Sequence, residues 1–590
     1  MRPKYCLFLF LTLTILHQTS SIATIRYVSK TGTSQPPYTS WETAADSIQK
    51  CINICVDGDT IYVANGVYKE NLLINTAISL IGSSMDSTVI DGTGLGSRTI
   101  DFVTRGELKN FKILSYGIGS GWAIRTYKYL KIADCYFTQA GLGIGGISST
   151  VKATNLIMHN ITKGFSLSCV ADTCENLIEN CFLTLYTNTS IGIELPFGGN
   201  NYIQNNIMLF LYNDNFESGI TVGYTNSINI INNLISKFGN GISFDVVLDT
   251  AFVKNNIITH QSSSGSTGGI RSTGDILFVN NMILINNKKG IYGGGLVRSN
   301  YNIFWNNDIN LAGTTIGDSD IVADPMLVKD TIPTLNGPYD FHLQAFSPGI
   351  DKGDPTILDL DGTRSDIGMY GGPFGETYTY QDLAPLAPRN LSAVVDSNYI
   401  TVRWNRNTEA DTSYYKVYRD TVINFTIDTT KLISSSADTF YVQQNPHNVS
   451  RYVYRITCVD NQENESLPSN ELVVNITSVS TNDYPMTISD YVLYQNYPNP
   501  FNPNTKIGYQ LKDRAYVKLM VYDIKGELVS VLVNKEQNSG YYEVEFVGNG
   551  LPSIPNTPGL ASGIYLYRIE VIGEGKIPVY TEMKKMLLIK

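Results

Sequence analysis

At 590 residues the chain has room for several domains, and its formal net charge of −10, with no basic patch or stripe, argues against nucleic acid as a partner. Only 16% of residues are charged, whereas Gly, Asn, Ser, Thr and Tyr are abundant, a composition suited to β-structure with many corners.

In chain order, residues 1–23 read as a secretory leader: basic Arg2 and Lys4, an apolar run from Cys6 to Leu16, and small Ser21 and Ala23 at cleavage spacing. The mature chain is expected to begin at Thr24. No later run reaches about 18 apolar residues, so no membrane span is expected. Residues 25–29 read as a strand, and 39–55 as an amphipathic helix with Thr39 and Glu42 at capping-box spacing and Trp41, Ala44, Ala45, Ile48 and Ile52 apolar. Such a helix would cover the open edge of the strands that follow, at 60–63, 77–81 and 87–90.

From about Leu108 to Asn307 one pattern returns: an apolar residue, one or two polar residues, Asn-Asn or a near equivalent, then an apolar pair. The marks fall at Phe111, Cys135, Asn155, Cys181, Asn206, Asn233, Asn256, Asn281 and Asn302, spaced by 20 to 27 residues. Between them, Gly followed by an apolar residue recurs at Gly117, Gly143, Gly164, Gly192, Gly219, Gly241, Gly269 and Gly290. Each unit therefore holds at least two short strands separated by corners. Without helical periodicity or a leucine-rich frame, the remaining solution is a coil of strands stacked on the next coil, ~4.8 Å above it. Uniform corners let Asn side chains hydrogen-bond up the column as a structural ladder.

Seven cysteines remain after Cys6. Cys169 and Cys174 flank a four-residue loop and are candidates for a disulfide. Cys135 and Cys181 stand two coils apart, ~10 Å, too far to bond, and are expected as small buried fillers. Cys51 and Cys55 lack the further ligands a zinc site needs.

The order of the 39–55 segment, then 56–63 (VDGDTIYV), then 66–70 (GVYKE) resembles right-handed parallel β-helix proteins of the pectin-lyase-like superfamily, over about 24–376. The resemblance implies the fold. The superfamily mixes lyases, hydrolases, esterases, epimerases, tail spikes and adhesins, so it does not imply one activity. Regularity ends near Asn310, and 347–355 (SPGIDKGDP), 359–368 (DLDGTRSDIG) and Tyr370-Gly371-Gly372 resemble the closing segment of secreted β-helix proteins. Asp351, Asp354, Asp359, Asp361 and Asp366 there are candidate calcium ligands; the spacing is not that of an EF-hand loop, and Asp-Gly pairs also make ordinary turns.

After a linker at 377–387, residues 385–477 carry about seven short strands, Trp404 on the second, 415–420 (YKVYRD) and a Tyr-rich sixth strand within 452–466. This stretch resembles a fibronectin type III domain, which implies a spacer or binding module. A second linker, 478–489, leads to 494–505 (YQNYPNPFNPNT), alternating Val517, Leu519 and Val521, 561–568 (ASGIYLYR) and 582–590 (EMKKMLLIK). Residues 490–590 resemble the C-terminal sorting domain of proteins exported by the type IX secretion system. That resemblance implies the secretion machinery as partner and release or attachment at the outer cell surface. The expected fold class is all-β: a parallel β-helix with an N-terminal capping helix, then two β-sandwiches.

Catalysis on such a coil needs groups on outward positions of adjacent strands. The position after each inward apolar residue gives Glu194, Thr221, Ser243, Arg271 and Tyr292, and two residues further come Gly223, Asp245 and Thr273. Glu194, Asp245 and Arg271 are thus the candidate acid-base set of a polysaccharide lyase, with a solvated surface as the plain alternative. No paired-Asp signature marks a glycoside hydrolase and no nucleophile motif marks a triad; His159, His260, His342 and His447 are scattered. Tyr127, Tyr129, Tyr186, Tyr212, Tyr224 and Tyr292 lie in or beside the coils and offer faces for sugars or for packing. The reading is an exported β-helix that binds an extracellular polymer, a polysaccharide or surface glycan, with a polysaccharide lyase or glycoside hydrolase as the alternative.

Overall fold

The computed structural model describes residues 23–589 except 116–120, 139–140, 171–172, 188, 212–216, 262–266, 275–276, 335–336, 338, 397–398, 445–448, 477–490, 497, 549–559 and 574–577. Residues 1–22 of the leader, Gly117, Tyr212, His447 and the linker 478–489 lie outside them. The chain forms two compact units, Met1–Ile476 and Thr477–Lys590.

The first unit opens with a parallel β-solenoid whose coils carry three strands each, one more than the repeat required. A representative coil is Trp122–Thr126, Tyr129–Ala133 and Tyr136–Thr138. Each strand pairs in register with its counterpart one coil up and one coil down. The third strands form a 12-stranded sheet, while the first and second merge into a 21-stranded one because Ser218–Ile231 and Asn240–Lys254 run round the corner unbroken. Register stacks Ile100, Ile124, Ile144, Phe165, Ile193, Ile220, Ile242, Ile270 and Ile291 in one fully buried column. Nine apolar side chains leave water along one line, and that burial is the main force holding coil to coil.

The corners explain the repeat pattern. Between second and third strands, nine successive coils each place one residue in the left-handed region: Asn110, Asp134, Asn155, Asn180, Asn205, Asn232, Asn255, Asn281 and Tyr301, with φ from 51° to 61°. Asn and Asp tolerate this conformation best. The next residue points inward and forms the ladder. The marked Asn155 and Asn281 therefore belong to the left-handed column, and the ladder positions one residue later hold Leu156 and Met282. Where Asn occupies the ladder, it behaves as expected. Asn206 Nδ2 donates to Asn233 Oδ1 at 2.9 Å, and Asn233 Nδ2 to Asn256 Oδ1 at 2.8 Å. The same oxygens accept the main-chain N–H groups of Asn206 and Asn233. Cys181 fills a ladder place below them, donating its N–H to Asn206 Oδ1, and burial pushes the thiols of Cys135 and Cys181 up to about 12.

The Gly column is required by space. A Cβ on Gly192 would meet the Gly219 carbonyl at 2.5 Å and Met208 Sδ at 3.0 Å, and Gly164, Gly219, Gly241, Gly269 and Gly290 are equally confined. The apolar pair after each Asn also has two destinations. Met208, Ile235, Ile258, Leu284 and Phe304 face the interior. Leu234, Ile257, Ile283 and Ile303 face outward, where the closing segment buries them under Leu327, Phe341, Leu343 and Ile367. That segment is fastened to the left-handed column: Asn232 Nδ2 donates to the carbonyls of Met369 and Gly371, and Asn255 Nδ2 to those of Asp366 and Gly368.

At the other end the helix spans Ile48–Ile52, not 39–55. The residues before it pair instead, with Thr33 N–H on Glu42 O, Ser34 N–H on Ala44 O and a bridge from Val28 to Ala45. Glu70 then caps the short helix, accepting from Ile48 N, Gln49 N and the Ser47 hydroxyl. Ile48, Cys51 and Ile52 cover the solenoid core. Cys169 and Cys174 form a disulfide.

Residues 392–475 form a sandwich of a three-stranded and a four-stranded antiparallel sheet around Ile400, Val402, Trp404, Tyr415, Tyr454 and Ile456, with Cys458 buried among them. The second unit has the same division into three and four strands, with Val517, Leu519 and Val521 buried. The fold is all-β apart from the short helix.

Candidate functional site

With the third sheet's outer face roofed over much of its length, two solenoid faces remain open. The outward column of the first sheet runs Asp101, Arg125, Gly145, Ser166, Glu194, Thr221, Ser243, Arg271, Tyr292. It is polar or small at nearly every step, beside an interior column that is wholly apolar. Such alternation is the signature of a strand with one wet face.

Glu194 and Arg271 share this column, and Asp245 stands two residues beyond Ser243. Arg271 Nη1 reaches Asp245 Oδ1 at 3.5 Å and Ser243 Oγ at 3.2 Å. Glu194 does not join them. It takes Lys163 Nζ at 2.7 Å and Ser166 Oγ at 2.6 Å, so the three candidate residues fall into two separate cation-carboxylate pairs. Glu194 and Asp245 lie two coils and two residues apart, each held by its own cation. Each carboxylate is already matched by a cation, and the exposed Asp245–Arg271 pair contributes about 0 to 1 kcal/mol to stability.

Aromatic groups border the charged pairs. Trp122 lies across Gly145, where a Cβ would meet its ring at 2.6 Å, so the glycine lets the indole lie along the face. Arg125 sits over the Tyr127 ring at 5.2 Å, and Arg98 bonds Asp101 at 3.1 Å. At the corner leaving the first sheet, Phe197 and Tyr224 are in register on successive coils. Their rings are nearly parallel, 11° apart with centroids at 6.2 Å, and 54% and 55% exposed. Val170 and Leu248, 81% and 66% exposed, stand near the same corner. Large apolar side chains held this far in water on one edge make it a candidate interaction surface.

The second sheet offers less. Its stacked Phe252 and Phe278 are covered by Lys254 at 4.6 Å and Arg298 at 5.5 Å. A depression of about 220 Å³ among Ser79, Arg105, Glu107, Tyr129 and Lys131 is below the ~300 Å³ of ordinary ligand pockets.

Four of the five closing-segment carboxylates accept hydrogen bonds. Asp354 accepts from Thr356 N and Asn280 Nδ2, Asp359 from Gly372 N and Asp366 N, and Asp361 from Thr363 N. Asp366 accepts from Asp351 N and the Tyr380 hydroxyl, and burial pushes its carboxyl up to about 6. No three of the five, Asp351 included, bring carboxylate oxygens within 4.8 Å of one another.

No family model matches the sequence and no curated protein matches it. Among solved structures, the pectate lyase Pel9A is similar at 16% identity over 59% of this chain and 96% of that one, with a TM-score of 0.36. Dimeric latent PorU from Porphyromonas gingivalis is similar at 14% identity over 35% of this chain, with a TM-score of 0.20, and the match spans only 20% of the PorU chain. A central fibronectin-III array of RIM-binding protein is similar at 12% identity over 35% of this chain and 70% of that one, with a TM-score of 0.13.

Sequence spacing found the outward column and the Asp245–Arg271 pair. It missed Phe197, Trp122 and Lys163. Phe197 ends a strand, where the turn and not the strand period sets its direction, although its register with Tyr224 is implied by the repeat. Lys163 lies three residues before the outward Ser166, off the two-residue period, so that counting does not reach it.

Proposed function

We propose that the solenoid is the working part of an exported protein and holds an extracellular polysaccharide along the first-sheet face without cleaving it. The observation that carries this reading is the Phe197–Tyr224 pair, two half-exposed parallel rings on successive coils beside a column of hydroxyls and charged pairs. Rings of this kind stack on the apolar faces of sugars, while Ser166, Thr221, Glu194 and Arg271 supply donors and acceptors for hydroxyls or uronates. The sandwich at 385–477 serves as a fibronectin-type spacer. Residues 490–590 serve as the sorting domain for type IX secretion, as their resemblance implies, leaving the protein secreted or on the cell surface.

The test is binding of the mature full-length chain to a panel of pectins, alginates and other glycans. A bound glycan whose affinity falls at least tenfold in Phe197→Ala/Tyr224→Ala, with thermal melting unchanged, is expected. No binding to any glycan, or binding indifferent to that double substitution, contradicts the reading. New reducing ends or unsaturated uronate in the same incubations, lost in Arg271→Ala, would replace binding with lyase or hydrolase activity.

A further inference from the structure

Three carboxylates meet where the closing segment of the solenoid passes into the sandwich. Asp382 belongs to the connecting stretch, Asp411 precedes the strand Thr412–Asp420, and Asp460 ends the strand Arg451–Asp460. Thr412 and Asp460 are paired in register, which puts the two sandwich carboxylates side by side. One carboxylate oxygen from each of the three lies within 4.8 Å of the others. The joint is built on both sides: Asn407 Nδ2 donates to Leu386 O at 2.7 Å, Ala410 N–H meets Met326 Sδ at 3.3 Å, and the Thr408 hydroxyl bonds Asp324.

The charges at this joint do not balance. Asp460 is fully buried and Asp411 is 95% buried, being 5% exposed. Asp460 accepts from Gln462 N, Asn464 N and Asn464 Nδ2, bonds that satisfy part of its capacity. Asp411 has no such support: apart from its own main-chain N–H, no donor reaches its carboxylate among the described residues. No Lys, Arg or His among them pairs with any of the three. Two carboxylates buried side by side, with a third within reach and no cationic side chain paired with them among the described residues, leave a positive charge wanting at this point.

We propose that Asp382, Asp411 and Asp460 bind one hard divalent cation, calcium in preference to magnesium, and that the ion ties the solenoid's closing segment to the sandwich. Ca²⁺ takes six to eight oxygens at about 2.3 to 2.6 Å in flexible geometry, whereas Mg²⁺ demands a near-ideal octahedron at about 2.0 to 2.1 Å, which carboxylates fixed in a packed joint meet less readily. Three carboxylates supply three to six oxygens, and the exposed side at Asp382 leaves room for water to complete the shell. This site is separate from the lateral face and from Asp351, Asp354, Asp359, Asp361 and Asp366.

The experiment is calorimetric titration and thermal melting of the mature full-length chain, stripped with a chelator and then given calcium chloride or magnesium chloride. One calcium per chain is expected to bind at this joint, with magnesium at least tenfold weaker and melting of the first unit raised by calcium. Asp382→Asn and Asp411→Asn should each weaken calcium at least tenfold. Because Asp382 is exposed, Asp382→Asn should do so with metal-free melting unchanged. Absence of binding up to about 10 mM calcium, the weak end for extracellular modules, overturns the proposal. So does binding that survives both substitutions. If Asp411→Asn raises metal-free melting while the parent ignores calcium, a proton fills the site and the proposal fails.

Discussion

At the residue scale, one amino-acid type does two jobs in adjacent columns. The left-handed Asn of each coil is chosen for backbone conformation, whereas the inward Asn is chosen for its side-chain amide. Their consequences on removal differ accordingly. Asn233→Ala leaves the buried Asn206 N–H without its acceptor and removes bonds to Asn256 and the Ile203 and Ile231 carbonyls, so a loss of about 3 kcal/mol is expected. Asn155→Ala strains one left-handed residue at an exposed corner and should cost about 1 kcal/mol. Denaturant unfolding of the two variants measures the ratio, and equal costs would dissolve the distinction. The same doubling limited what spacing alone reveals. Where both residues are Asn, as at Asn205-Asn206, either choice of mark gives the right pair. Where only one is, as at Asn155-Leu156 and Asn281-Met282, the ladder position is apolar and the visible Asn belongs to the other column.

At the scale of elements, the closing segment is a strap held by the Asn column and by its own buried acid. Asp366 has a folded pKa of about 6 against an ordinary 3.8, so between these values the native chain keeps a proton that the unfolded chain has released. Native stability from this group therefore falls as pH rises from 3.8 through 6, and the strap is tighter at pH 5 than at pH 7. Melting of Asp366→Asn against the parent isolates the effect. The variant's deficit should widen on acidification from pH 7 to pH 5, and a deficit that shrinks would reverse the sign. The strap's function was not readable beforehand because its contacts run over a hundred residues back along the chain, from Gly371 to Asn232. The helix was overread for a related reason. A capping box at Thr39 and Glu42 is a local signal, and pairing of Ala45 with Val28 and the Glu70 cap override it. The disulfide at Cys169 and Cys174, set by local spacing, was legible.

At the scale of the molecule, the solenoid has three faces that the repeat alone renders equivalent. The structure separates them: the third is roofed by the closing segment, the second has its aromatic pair covered by cations, and the first keeps aromatic rings and charged pairs open to water. Fold class and the order of elements were legible from periodicity, since stacked coils leave a regular trace in the sequence. Which face works was not, because that depends on what the rest of the chain covers. Amide hydrogen exchange of the mature full-length chain, with and without a bound polysaccharide, tests the working face most directly. Protection confined to Ile191–Phe197 and to the adjoining first-sheet halves of Ser218–Ile231 and Asn240–Lys254 is expected, with the third-sheet strands and Arg451–Asp460 unchanged. Protection centred on the second sheet or on the sandwich, with the first-sheet strands unaffected, would contradict it.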